Sequence, residues 1–393
     1  MTLKEELETL RGEPIQVYTG DPMDIPCIET SDSEKLCKHP IVSVCMITYN
    51  HESYIRQAIE GVMMQKTDFE FELVIGEDAS TDKTREICFE YQKKYPDKIR
   101  VLWWHENLRK VKHPAGGNSR RTQAHSRGEF IALCEGDDYW IDPLKLQKQV
   151  DIMREHPRVG LCFCGSQTLH ENGKVSHWQV GYYGFSQGVI PGRRFFLCNL
   201  YSDNPRRPPR TAQFIMTATM LFRKDAYADA MRKFEIFAWR MSLGDITLRL
   251  GLSALSDVYC MNDEMSVYRK TRTGASNTNT RPIVIDGRLI RLYFADKVLG
   301  ITNHELPGYL NRELYCSLLG IMTNQGSDNQ KEYIRRVLKI KGIRRAFTRP
   351  TSWPGLISLW IGFLKPWQLR YYFKIVKWFS VNSVPRGIRN LYG

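Results

Sequence analysis

The sequence predicts an α/β fold in which helices flank a mostly parallel sheet, and three observations predict it. Between Pro40 and Cys134, four continuous apolar runs alternate with segments of helical period. Their spacing suits βαβ crossovers. Three of the four runs end in polar or acidic residues: Tyr49-Asn50, Glu77-Asp78 and Glu135 through Asp138. In open parallel sheets, ligands bind beyond the carboxyl ends of the strands, so these residues are expected to share one rim.

Taken in order, Leu3, Leu7 and Leu10 fall on one face of a short amphipathic helix. Pro14, Pro22 and Pro26 then break it and leave an irregular lead-in over residues 1–38. IVSVCMIT is continuously apolar, as a strand buried on both faces must be. Ile55, Ala58, Ile59, Val62 and Met63 recur at helical spacing. FELVIG is the second strand. Ser80 and Thr81 can cap the helix that carries Ile87, Cys88 and Tyr91. IRVLWW is the third strand, Gly116 to Arg127 a third helix, and EFIALC the fourth strand. After Pro143, KLQKQVDIMREHP reads as a helix and VGLCFCG as a strand. FIMTATMLFRK reads as a strand, LGDITLRLGL as a loop entering a helix, and DVYCMNDEMSVYR as a hairpin or paired strands. Residues 285–345 are mainly helical by periodicity. We divide the chain into a lead-in (1–38), an α/β domain (39–280) and a mainly helical, basic C-terminal region (281–393).

With 42% hydrophobic and 25% charged residues over 393 positions, a sizeable core is expected. The start, MTLKEELETLRGEP, is charged and lacks an apolar h-region, so no secretory signal is expected. The ten cysteines include no CxxC pair, which argues against structural zinc and for free thiols in a reducing compartment. Cys162 and Cys164, two apart, would share a face of a strand. The net charge is +13, yet Lys331 to Gly393 alone holds fourteen Lys and Arg against the single acid Glu332. The excess therefore sits in a basic appendage on a neutral body.

Glu135, Asp137 and Asp138 follow a buried strand with no basic residue beside them in sequence. Neighbouring carboxylates repel and raise one another's pKa unless a cation neutralises them. Mg²⁺ or Mn²⁺ does this with one or two carboxylates, completing its shell with phosphate oxygens and water. An acidic turn after a strand is the plainer alternative.

The ordered segments PIVSVCMITYNHESYIRQAI, FELVIGEDASTDKTREI and GEFIALCEGDDYWIDPLKLQKQV resemble glycosyltransferase family 2, the inverting nucleotide-sugar transferases of GT-A fold. The resemblance covers about residues 40–275. It implies a GT-A-like single Rossmann-type sheet. Glu77 stands where that family usually has the first Asp of VVDDGS, and Ala79 where it has Gly; Asp78 remains. The resemblance implies that Tyr49 packs on the nucleotide base and that Asp78 accepts from the base or ribose. It matches Glu135, Asp137 and Asp138 to a DxD-type metal site, with Asp138 as direct ligand, Asp137 contacting the metal and the donor, and Glu135 behind them. It also implies that Asp245 is the general base that takes the acceptor's proton. A plain helix N-cap is the alternative for Asp245, and a dipole-favoured carboxylate for Asp78. Arg121, on the donor-side helix with Asn118, could reach a phosphate or make a surface ion pair. Tyr139 and Trp140 suit either a sugar platform or the core. Arg269 and Arg272 belong to a loop that could close over a diphosphate. NPRRPPRT, residues 204–211, suits an anionic acceptor or a solvated loop. His51, His113 and His125 have no ligand-like spacing.

Residues 353–379 set an apolar run too short to span a bilayer among Trp353, Trp360, Trp367, Trp378 and several Lys and Arg. This composition suits helices lying on an anionic leaflet, or a helical cap with a solvated basic face. No nucleic-acid-reading motif is present. The expectation is a metal-dependent, hexosyltransferase-type enzyme on the cytoplasmic face of the membrane. Its donor would be a nucleotide-sugar, UDP-sugar foremost, and its acceptor a saccharide or a polyprenyl-diphosphate-linked one. It would serve bacterial surface polysaccharide synthesis (capsule, O-antigen or exopolysaccharide). A sugar-phosphate nucleotidyltransferase and a non-enzymatic membrane-surface protein are the alternatives. TYNHESY lacks the Gly and Lys that would favour the first of these.

Overall fold

The computed structural model describes residues 2–178, 186–200, 215–241, 244–271 and 281–299. The basic tail from 300 onward, the loop 204–211 and Arg272 lie outside the described residues. The chain forms two compact units, one of residues 13–300 and one of residues 1–12 with 301–393. Of the latter, the described part is α1 (Leu3–Arg11) with its flanks. Its start is a capping box in which Thr2 and Glu5 each satisfy the other's backbone N–H, and its end is Gly12 at φ 84°.

The larger unit is built on a sheet. β1 (Ile28–Thr30) and β2 (Val42–Thr48) lead into α2 (Ile55–Met63), β3 (Phe71–Glu77), α3 (Thr84–Lys94) and β4 (Ile99–Trp103). Next come α4 (Leu108–Val111), α5 (Asn118–Ala124), β5 (Phe130–Leu133), β6 (Tyr139–Trp140) and α6 (Lys145–Glu155). The second half contains β7 (Val159–His170), β8 (Val175–Trp178), β9 (Gly188–Ile190), α7 (Gly192–Leu200), β10 (Leu221–Arg223) and α8 (Lys224–Lys233). It closes with α9 (Gly244–Ser253), β11 (Asp257–Lys270) and α10 (Arg281–Leu299).

The strand order is β1-β4-β3-β2-β5-β10-β7-β11-β6, with β8 beside β7 and β9 beside β11. β4, β3, β2 and β5 run parallel, as do β7 and β11. β10 is antiparallel between β5 and β7, and β1 and β6 are antiparallel at the margins. The sheet is therefore mixed and mostly parallel, with helices on its faces. From β2 the chain winds outward to β3 and β4, then returns to place β5 on the other side of β2. The switch point lies between β2 and β5, and in sheets of this kind ligands bind at the carboxyl ends of the strands there.

The four apolar runs became strands because both of their faces are covered. Every residue of β3 and β5 is buried, and all but one of β2. Ile55, Ala58, Ile59 and Val62 turn one face of α2 into the core that also takes Trp140, Cys162 and Cys164. Gly61 permits the close fit of α2 on β6, since a Cβ there would lie 2.9 Å from the Trp140 backbone.

Three expectations need correction. The lead-in is not wholly irregular: β1 adds to the sheet edge, and Arg100 on β4 holds Glu29 through two hydrogen bonds of 2.9 and 2.8 Å. The segment read as a hairpin, DVYCMNDEMSVYR, is one strand, β11, whose register against β7 slips on either side of Glu264. The polar Asn262 and Asp263 mark an irregularity in that strand and not a reversal of the chain. FIMTATMLFRK yields only a 3₁₀ turn (Thr217–Thr219) and the three-residue β10. Among the described residues, no helix is long and apolar enough to cross a membrane.

Candidate active site

The loop after β2 and the loop after β3 are laced together. Asn50 N donates to Ser80 Oγ (3.0 Å), His51 N to Thr84 Oγ1 (2.8 Å) and Glu52 N to Asp82 Oδ2 (3.1 Å). In return Thr81 N donates to Asn50 Oδ1 (2.8 Å) and Lys83 N to Glu52 Oε2 (2.9 Å). Asn50 and Ala79 sit at φ 54° and 58°. For Ala79 that left-handed conformation costs about 1 kcal/mol that glycine would avoid.

On this frame Asp78 is nearly buried. Its Oδ1 accepts from Leu108 N (2.8 Å), and its carbonyl accepts from Asn107 Nδ2 (2.8 Å). Burial pushes its carboxyl above the usual Asp range. Glu77 is fully buried and spent on its surroundings, accepting from Ser80 N and Arg85 Nε, each at 2.6 Å. Tyr49 is half-buried with Lys110 over its ring, 5.6 Å from the centroid. Sequence spacing gave no sign of Lys110.

The EGDD turn follows β5 at the switch point. Glu135 is half-buried, and its Oε2 is buried without a hydrogen-bond partner. Burial, then the charges of Asp137 and Asp245, push its carboxyl up to about 8. Asp138 is 3% exposed, and its Oδ1 accepts from Arg269 N (2.9 Å), which ties the end of β11 to the turn. Burial, reinforced by Asp137 and Glu135, raises its pKa well above normal. Asp137 is the accessible acid, its side chain 21% exposed. Asp138 thus anchors a strand through Oδ1, and Asp137 is the more exposed of the two.

His51, given no role by its spacing, stands beside this turn. Its Nδ1 lies 3.2 Å from Thr48 Oγ1 and its Nε2 4.0 Å from Asp137 Oδ2. Burial lowers its pKa, against the pull of Asp137. Gly136 lets the turn seat here, since a Cβ on it would be 2.7 Å from Thr48 Oγ1 and 2.9 Å from His51 Nδ1.

Asp245 opens α9. Its Oδ2 is 3.1 Å from the Arg249 guanidinium one turn later, and its side chain is 29% exposed. Its charge adds to the upward push on the Glu135 carboxyl. Arg269 ends a strand and is not a free loop residue. Its guanidinium lies 4.5 Å from the Tyr139 ring centroid and 5.3 Å from that of Tyr54, and it donates to Gln57.

Two expected contacts are not at the rim. Arg121 is fully buried and donates to the carbonyls of Pro26, Glu77 and Leu102 and to Asn118 Oδ1. It braces the ends of β3 and β4 from within, where no phosphate reaches. Asn118 is likewise occupied with the Gly76 carbonyl (2.7 Å). Trp140 is core, its Nε1 donating to the Ala218 carbonyl (2.8 Å) and Lys145 over its ring, so it offers no sugar platform. Arg121→Met, which strands these carbonyls, is expected to lower stability by about 3 kcal/mol in urea unfolding.

The acids fit a hard divalent cation. Three carboxyls lie within four residues, one has an orphaned buried oxygen, and among the described residues no Lys or Arg side chain forms an ion pair with them. Among the described residues, no group of three His, Cys, Asp or Glu converges as a closed cage. An open site of one or two protein ligands completed by phosphate is what Mg²⁺ or Mn²⁺ takes. A separate cavity of about 440 Å³ lies at the amino ends of β7 and β11, lined by Arg158, Gly160, Arg223 and Asp257 among others. It is at the opposite end of these strands from the acidic rim, and Arg158 is paired there with Asp257 at 2.9 Å.

Residues 43–229 match the family model described as Glycosyl transferase family 2. A protein of Mycobacterium tuberculosis without an assigned activity is 42% identical over 132 residues, 34% of this chain and 37% of that protein. TuaG of Bacillus subtilis, provisionally named a teichuronic acid biosynthesis glycosyltransferase, is 32% identical over 136 residues, 34% of this chain and 50% of TuaG. The chain thus spans between about a third and a half of the length of these relatives. The solved structure of Staphylococcus aureus TarS 1-349 in complex with UDP shares the fold. Its TM-score is 0.51 at 18% identity, over 78% of this chain and 82% of that one.

Proposed function

We propose that this chain, a member of glycosyltransferase family 2 by its domain at residues 43–229, transfers a sugar from a nucleotide-sugar to a saccharide or polyprenyl-diphosphate-linked acceptor. The observation that carries the reading is the partly exposed Asp137 carboxylate at the β2–β5 switch point, beside two loops already laced into one rim.

In this reading Tyr49 and Asp78 take the base and ribose, with UDP-sugar as the favoured donor. Asp78 would do so from a loop where its carboxylate is held by the backbone of Leu108 and Arg109. Asp137 would hold Mn²⁺ or Mg²⁺, which when bound neutralises the diphosphate. Asp245 removes the proton of the acceptor hydroxyl, and Arg249, 3.1 Å away, orients its carboxylate. Attack from the face opposite the diphosphate inverts the anomeric centre. We assign the protein to bacterial surface polysaccharide synthesis. We place it on the cytoplasmic face of the membrane through the basic, Trp-rich residues 353–379, where each Lys or Arg near an anionic leaflet contributes about 1 kcal/mol.

One experiment addresses these points. The protein is incubated with Mn²⁺, a panel of UDP-, GDP- and dTDP-sugars, and a polyprenyl-diphosphate-linked saccharide. The acceptor is embedded in phosphatidylglycerol or phosphatidylcholine vesicles. The expected result is release of one nucleoside diphosphate, a product of inverted anomeric configuration by NMR, and sedimentation of the protein with the anionic vesicles alone. No nucleotide release from any donor removes the enzymatic reading. Equal sedimentation with neither lipid removes the membrane assignment.

A further inference from the structure

We infer that His51 is the second protein ligand of the divalent cation, its Nε2 sharing the ion with the Asp137 carboxylate. The inference rests on the donor-and-cation reading above and adds a ligand that neither composition nor spacing indicated.

The ring is held in place. His51 N donates to Thr84 Oγ1 (2.8 Å), and the His51 carbonyl accepts from Tyr54 N (2.8 Å) and Ile55 N (2.9 Å) at the start of α2. Nδ1 is paired with Thr48 Oγ1 at 3.2 Å, and the ring rests against Gly136, the residue between the two acids of the turn. These contacts leave Nε2 facing Asp137 Oδ2 at 4.0 Å. That separation is too long for a hydrogen bond. It suits two ligands of one ion: metal bonds of about 2.1 Å put a nitrogen and an oxygen about 3 Å apart at right angles and about 4.2 Å apart when opposed.

The chemistry agrees. An imidazole whose other nitrogen is engaged is a ready metal ligand, with its orientation set by that second contact. Here Thr48 Oγ1 is the orienting partner. Adding a nitrogen to a carboxylate site shifts preference toward Mn²⁺ and Co²⁺ relative to Mg²⁺. Both ligands arise at the switch point, one from each strand that borders it, so the ion would bridge β2 and β5.

The test uses the full chain with Mn²⁺ and UDP. Pulsed EPR of the wild-type complex is expected to show ¹⁴N coupling from a directly bound imidazole. The coupling should vanish in His51→Gln, with Mn²⁺ affinity in the presence of UDP down by 10-fold or more. Thr48→Val, which removes only the orienting hydroxyl, should keep the coupling and weaken Mn²⁺ by roughly 10-fold. UDP binding without metal should be unchanged in both variants, which also reports that they fold. Mn²⁺ binding by the wild type without nitrogen coupling overturns the assignment while leaving the donor reading intact. So does a His51→Gln protein that loses metal-free UDP binding, because the ring would then contact the diphosphate directly. Failure of the wild type to bind Mn²⁺ with UDP overturns both readings.

Discussion

Asp137→Ala is expected to lower kcat/KM by about three orders of magnitude, roughly 4 kcal/mol of transition-state stabilisation. Calorimetry should show Mn²⁺-dependent UDP binding lost with it. The contrast with Asp138 makes the expectation specific. Asp138 is buried and accepts from Arg269 N, so Asp138→Ala removes the tie between β11 and the turn. Its first effect should be on stability, by about 1–3 kcal/mol, because a buried donor loses its partner. If Asp138→Ala folds with wild-type stability and alone abolishes metal binding, Asp138 and not Asp137 is the ligand.

Asp245→Asn is expected to reduce kcat by about 10²- to 10⁴-fold while leaving the UDP–Mn²⁺ affinity within 2-fold or so of wild type. The substitution keeps the shape of the side chain and an oxygen for Arg249, but removes the capacity to take a proton. Pre-steady-state and steady-state rates with saturating donor would separate chemistry from binding. Turnover within a factor of a few of wild type would leave the i,i+4 pair with Arg249 as a helix-start contact only.

Much of the first half was legible because short continuous apolar runs between segments of helical period suit strands covered on both sides. The rim followed from the same runs, since three of the four stopped at polar or acidic residues. What stayed hidden depended on direction and partners, which pattern does not encode. Asp137 and Asp138 are neighbours of one residue type, and only the fold of the turn decides which is buried. Arg121 looks like any basic helix residue until β3 and β4 present their carbonyl ends to it. β1 and β10 are three residues each, too short for alternation to show. Asn262 and Asp263 resembled a turn because a strand irregularity and a turn use the same polar residues. His51 acquires its meaning from Gly136, a contact across 85 positions of sequence that no local spacing can reveal.

The reciprocal bonds between residues 50–52 and 80–84 decide when entropy is lost at this rim. Those backbones are fixed as the sheet folds, before any nucleotide arrives. An incoming nucleoside diphosphate therefore orders little of the protein there, and more of the interaction free energy survives as affinity. A surface that does not adapt also discriminates by steric match. Donors that differ in the base meet a fixed mould, and a poorly fitting base is rejected at encounter without any rearrangement of these two loops.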